Sequence, residues 1–206
     1  MLSINQKTIN KPVRLNGVGL HNGVNADLII KPAAENFGIN FCRVDIDKED
    51  LIPANFKNVI EPVLCTKIVN KNGISISTVE HLMAAFFGEG IDNALVEVNA
   101  SEIPILDGSA SDFVEAIRSA GVKEQNVQRQ FIQVEKKVEI KEGEKFISIE
   151  PTDNDLIIDF EIIYKNPLIR TRRKEFRLSQ DKLTEIYNSR TFCLYEDIDY
   201  IKSKGL

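Results

Sequence analysis

Histidine is scarce in this chain. Among 206 residues there are two, His21 and His81, and tryptophan is missing altogether. Two imidazoles are therefore all the histidine that the chain can offer a metal ion or an acid–base pair. Cysteine is sparse as well: Cys42, Cys65 and Cys193 lie far apart and are odd in number. That excludes a disulfide framework, and no C-x-x-C spacing offers a thiolate zinc knot. No apolar run approaches about 18 residues, so no membrane-spanning helix is expected. Met1 to Lys11 is mixed and polar and lacks an apolar signal core, which makes the expected location cytoplasmic. Positive charge is outnumbered, 26 Lys and Arg against 31 Asp and Glu, for a net charge of -5. That balance argues against a generic grip on nucleic acid. What remains is an ordinary globular composition, 43% hydrophobic and 28% charged, long enough for one large domain or two small ones.

The chain opens with short runs rich in branched apolar residues, bounded by Gly, Asn and Pro. Val13 to Leu15, Val24 to Ile30 and Ile39 to Val44 read as strands. Cys65 to Val69 and Ile74 to Ile76 flank Asn70-Lys71-Asn72-Gly73, which predicts a hairpin with an Asn-Gly turn. Ser77 and Glu80 have the spacing of a capping box ahead of the apolar run Leu82 to Phe87, so a helix is expected from Ser77, stopped by Gly88 and Gly90. Asn93 to Val98 reads as a strand with Ala94, Val96 and Val98 on one side. Ser109 to Ala120 reads as a second helix with Phe113, Val114 and Ile117 on one face. Met83, Phe86 and Phe87 read as helix core.

Lys123 to Arg129 is polar and reads as a linker. Beyond it Phe131 to Ile140, Lys145 to Glu150 and Leu156 to Tyr164 read as strands, and Leu178 to Ser189 as a helix capped by Ser179. The basic cluster Arg170, Arg172, Arg173, Lys174 and Arg177 reads as a solvated strand edge. The expected fold class is α+β: two similar sheet-plus-helices units in tandem, residues 1–126 and 127–206, the second incomplete and lacking its last helix and strand.

Ser77-Thr78-Val79-Glu80-His81 sets a carboxylate beside an imidazole at a helix start, where the peptide dipoles favour negative charge. In metal-assisted hydrolysis an imidazole ligates the metal and a carboxylate takes a proton from water. The pair also admits a plainer reading, with Glu80 as the return half of the capping box and His81 as a surface histidine. Cys65 and Thr191 likewise admit plain readings, a buried small hydrophobe and a helix-end hydroxyl.

Arg14-Leu15-Asn16-Gly17-Val18-Gly19-Leu20-His21, Leu64-Cys65-Thr66, Ile76-Ser77-Thr78-Val79-Glu80-His81-Leu82, Gly90-Ile91-Asp92-Asn93, Val96-Glu97-Val98-Asn99, Glu102-Ile103-Pro104-Ile105-Leu106-Asp107-Gly108-Ser109-Ala110 and Arg190-Thr191-Phe192 follow one another in order. Together they resemble the UDP-3-O-acyl-N-acetylglucosamine deacetylase family of lipid A synthesis, over the whole chain and most densely over roughly the first 110 residues. The resemblance implies two sheet-and-helix domains with the active site between them and a UDP-linked acylated amino sugar as substrate. It implies zinc, with His81 as a ligand and Glu80 as general base. Thr191 matches a hydroxyl that steadies the oxyanion, and Phe192 a substrate-contacting aromatic. Leu20 and Leu64 match positions lining the substrate site, and Cys65 a cysteine near the metal. Asp197 starts what resembles an insert shaping the acyl-chain passage.

One departure matters for mechanism. The family's remaining zinc ligands, a histidine and an aspartate spaced H-x-x-x-D, and its general-acid histidine have no match here, since no histidine follows His81. A catalytic zinc takes three protein ligands. The zinc site is therefore expected to be incomplete in this chain and the chain inactive by itself. The alternatives are a non-catalytic remnant that binds a nucleotide-sugar or a partner, and one half of a split enzyme completed by a separate chain.

Overall fold

The computed structural model describes residues 4–46, 50–60, 64–153, 155–179 and 181–203. The chain divides into two compact units. One runs to Arg129 and resumes at Thr184; the other is Gln130–Leu183. Helices and several sheets occur together, so the class is α+β.

In the first unit the strands are β1 (Asn5–Ile9), β2 (Val13–Val18), β3 (Asn25–Pro32), β4 (Ile39–Arg43), β5 (Leu51–Pro53), β6 (Val59–Ile60), β7 (Lys67–Val69), β8 (Ser75–Ser77), β9 (Ala94–Val98) and β10 (Val122–Gln128). A five-stranded sheet has the order β2-β3-β9-β4-β5, β6-β7-β8 form a smaller one, and β1 pairs with β10. Among the described residues, only β4 and β9 run parallel within the large sheet. A parallel pair needs a crossover connection, and here it contains the small sheet and helix α1 (Glu80–Glu89). Helix α2 (Ser111–Ala120) packs beside α1 and against β2.

The alternation of a half-buried strand explains the core. Ala26, Leu28 and Ile30 of β3 and Ala94, Val96 and Val98 of β9 are fully buried. So are Leu82, Ala85 and Phe86 of α1 and Phe113, Val114 and Ile117 of α2. Each of the large side chains contributes about 1.5–3 kcal/mol by leaving water. The expected inward faces of β9 and α2 are the observed ones. The expected hairpin is also present: Asn70 N–H donates to Ile74 O at 2.9 Å across β7 and β8, and Gly73 supplies the φ of 79° that the turn requires.

The polar stretch expected to be a linker is instead strand β10. Its register with β1 runs from Asn5↔Gln128 to Ile9↔Val122. Its one buried residue is Gln125, which accepts from Asn93 Nδ2 at 2.7 Å and donates to Ala33 O at 2.9 Å. Satisfied amides take the place of apolar residues there, so no hydrophobic period announces the strand.

The second unit holds β11 (Val138–Glu142) paired with β12 (Lys145–Ile149), and β13 (Ile157–Ile163) paired with β14 (Thr171–Arg177). Phe131 to Val134, expected as strand, is irregular, with Phe131 and Ile132 exposed. Val138, Ile140, Ile147 and Ile149 on the first hairpin are exposed as well. The expected Leu178–Ser189 helix shrinks to α3 (Leu183–Tyr187), because Ser179 gives its N–H and hydroxyl to Asp155 instead of capping a helix. After it come a 3-10 turn, Tyr195–Asp197, and the short helix α4 (Ile198–Ser203).

Candidate active site

Helix α1 does not start as a capping box. Ser77 belongs to β8, and its N–H donates to Ser101 O at 3.0 Å, so nothing is left for Glu80 to cap. The helix begins at Glu80 behind Val79, with no side-chain cap. Glu80 instead turns back to the small sheet, where its Oε2 accepts the Thr66 N–H at 3.0 Å. The plain reading of Glu80 as a capping residue is thereby removed. A half-buried carboxylate stands in the electropositive first turn, with one oxygen tethered and His81 next to it on the same turn.

Cys65 precedes the tethering residue. Burial pushes its thiol up, hydrogen bonds with Thr78 oppose this, and the charges of Glu80 and Glu102 push it further up. It is a free, half-buried thiol that stays protonated at neutral pH, close to both carboxylates. Leu64, on its other side, is exposed with φ 59°.

Glu102 carried no signal in the sequence beyond its place in a motif, and it is the most connected group here. It is 1% exposed. Its Oε1 accepts the Thr78 hydroxyl at 2.7 Å. Both oxygens accept the His21 N–H at 3.1 Å, and Oε2 accepts the Asn22 N–H at 3.0 Å. The turn that it holds also presents Leu20, which is half exposed, and buries His21 Nε2 without a hydrogen-bond partner among the described residues. Leu20, Leu64, Cys65, Glu80 and His81 are thus linked through the Thr78–Glu102 contact and the chain on either side of it.

Thr191 is seated elsewhere on the same unit. Its N–H donates to Gly108 O at 3.0 Å, and Arg190 donates to Asp107 Oδ2 at 3.0 and 3.2 Å. The Ser109 hydroxyl, then Arg190, hold the Asp107 carboxyl below the usual carboxylate range. Phe192 and Asp197 follow, both exposed, Asp197 within the 3-10 turn. The segment is anchored by Tyr187, a residue with no chemical signal in the sequence. Tyr187 is 3% exposed and donates its hydroxyl to Glu89 Oε1 at 3.0 Å, and Arg118 grips the same carboxylate at 2.8 and 3.0 Å. The Tyr187 carbonyl accepts from Ala110 N–H and Ser111 Oγ.

Burial, and then the Glu89 charge, raise the Tyr187 phenol well above the ordinary tyrosine range. A group whose pKa is raised by folding lends stability below its unfolded value and loses it as pH climbs through the folded one. A phenolate absorbance titration is therefore expected to show one of the four tyrosines ionising only above the ordinary range and together with unfolding. Full ionisation within that range, with the fold intact, would contradict the burial.

The donor set does not by itself fit a catalytic zinc. Among the described residues no group of three or more His, Cys, Asp and Glu side chains is placed to hold a metal ion, whereas such a zinc takes three protein ligands. His81 stands as a single imidazole. Among the described residues no helix is long and apolar enough to cross a membrane.

A family model described as UDP-3-O-acyl N-acetylglycosamine deacetylase matches residues 6–206. Three similar proteins each bear the name UDP-3-O-acyl-N-acetylglucosamine deacetylase. That of Actinobacillus succinogenes is 42% identical, that of Cellvibrio japonicus 42% and that of Vibrio campbellii 43%, each over 206 aligned residues. In each case the match covers 98% of this chain and 67% of the relative.

Proposed function

The chain belongs to the UDP-3-O-acyl N-acetylglycosamine deacetylase family, and on that premise we propose that it carries the base-bearing part of an amide hydrolase whose substrate is a UDP-linked 3-O-acyl-N-acetylglucosamine. The observation that carries this is Glu80, freed from capping and held by Thr66 at the first turn of α1. With Oε2 occupied, Oε1 is left to accept a proton from a water attacking the acetyl carbonyl. The water oxygen bonds to the carbonyl carbon, the proton taken by Glu80 passes to the amide nitrogen as the carbon–nitrogen bond breaks, and acetate and the free amine leave. The Thr191 hydroxyl would donate to the oxyanion formed on the way. Exposed Leu20, Leu64 and Phe192 supply apolar surface for sugar and acyl chain, and Asp197 a polar boundary.

His81 is this chain's contribution to a zinc site, and the other ligands come from residues that these 206 do not include or from a separate chain. The reaction itself, on a soluble nucleotide-sugar, fits a cytoplasmic location.

The test joins this chain to the last third of the Actinobacillus succinogenes relative and follows acetate release. The fused protein is expected to turn over, the 206 residues alone to show neither stoichiometric zinc nor turnover. Glu80→Gln in the fusion should lower kcat by about a hundredfold or more. Turnover by the short chain would overturn the incomplete site, and a folded, active Glu80→Gln fusion would overturn the base. That no group of three or more His, Cys, Asp and Glu among the described residues could hold a metal favours one other reading, a non-catalytic chain that binds the UDP-sugar. UDP-sugar binding by a folded fusion with no acetate release selects it.

A further inference from the structure

We infer that Glu102 is a positioning residue: it holds Thr78 in a left-handed conformation and thereby sets where Glu80 points. The inference rests on the reading of Glu80 as the working carboxylate. Thr78 has φ 61°, a conformation that β-branched residues adopt only where their surroundings impose it. The surroundings are on view. Thr78 is 2% exposed, and its hydroxyl donates to Glu102. The backbone around Glu102 runs alongside the same segment: Ser77 and Glu102 form an isolated parallel bridge, and Ile103 N–H donates to Ser77 O at 3.2 Å.

A buried carboxylate is tolerated only when its lone pairs are matched. Here the donors are the Thr78 hydroxyl and the His21 and Asn22 N–H groups. The fit around them is tight. A Cβ added at Gly19 would lie 2.6 Å from Glu102 Oε2 and 2.3 Å from Asn22 Oδ1, so only glycine lets the turn close on the carboxylate. The left-handed residue then does the work that a capping side chain does elsewhere. It swings the chain from β8 into α1 so that Val79 N–H reaches Thr66 O at 3.4 Å and the Glu80 carboxylate reaches Thr66 N–H. One buried side chain fixes two pieces of the site, the Leu20–Asn22 turn and the start of α1.

The readout is amide exchange at single residues of the whole 206-residue chain, which reports geometry without turnover. In Glu102→Gln, exchange at Thr66, His21 and Asn22 is expected to rise about tenfold or more while Ile30 and Val96 in the core stay protected. Glycine adopts positive φ at no steric cost. Adding Thr78→Gly to Glu102→Gln should therefore restore protection at Thr66 and leave His21 and Asn22 fast, a rescue that a merely space-filling Glu102 would not give. Should Glu102→Gln fail to fold, Thr78→Val serves: Thr66 should be released while His21 and Asn22 stay protected. Protection of Thr66 that survives Glu102→Gln or Thr78→Val, or a double variant without rescue, overturns the inference. If the exchange results hold and a fused Glu80→Gln enzyme is active, Glu102 still positions Glu80, and only the catalytic role of Glu80 is lost.

Discussion

Gly88→Ala is expected to free the whole segment that carries Arg190 and Thr191. In most exposed helix positions that exchange adds about 1 kcal/mol of stability. Here the new Cβ would lie 2.1 Å from the Tyr187 hydroxyl and 2.5 and 2.6 Å from its ring carbons. Overpacking of this kind costs about 1–3 kcal/mol, and the displaced ring also loses its bond to Glu89 and its stacking near Arg118, 5.8 Å from the ring centroid. The clash outweighs the helix gain. Trypsin cleavage after Arg190 should quicken by roughly tenfold, the factor for about 1.4 kcal/mol of easier opening, while cleavage after Arg43 in β4 and Lys67 in β7 comes no sooner. An unchanged rate at Arg190 would mean that Tyr187 does not anchor the segment. Pairing Gly88→Ala with Tyr187→Leu, which removes the hydroxyl and the ring, should recover part of the protection.

Phe113→Ala should be the most destabilising single change in the first unit. The ring is fully buried on α2, the helix that packs beside α1 and against β2 of the large sheet. Truncations of this kind cost about 3–5 kcal/mol through lost transfer energy and the cavity left behind. Urea unfolding should show the midpoint falling at an unchanged slope. A loss under 1 kcal/mol would place the core somewhere other than between these elements. Val122→Ala, at an exposed position of β10, is the control and should shift the midpoint little.

Local chemistry was legible in the sequence wherever it decided the outcome. The Asn70–Gly73 turn, the alternation in β9 and the apolar face of α2 depend on residues a few positions apart, and each is where its pattern puts it. Reading failed where distant residues compete. Ser77 has a cap's spacing to Glu80, yet a strand contact with Ser101 takes its N–H. Ser179 has a cap's chemistry, yet Asp155 takes both its donors. Strand β10 hides because its buried position is filled by an amide with partners in β1's neighbourhood. In the site, Glu80 and His81 announce themselves as a pair. Glu102 and Tyr187 do not, since a carboxylate before Ile-Pro and a tyrosine in a short helix become informative only once burial and donors are known. Gly19 beside the histidine turn and Gly88 under the Tyr187 ring are the traces that these close approaches leave in the sequence.

The pairing of β1 with β10 has a consequence during synthesis. Strand β1 carries fully buried Ile9, and its partner is made more than a hundred residues later, in the register Ile9↔Val122. At about 5–20 residues per second, it waits roughly 6–24 s for that partner to be made. Through that interval Ile9 stays open to a chaperone.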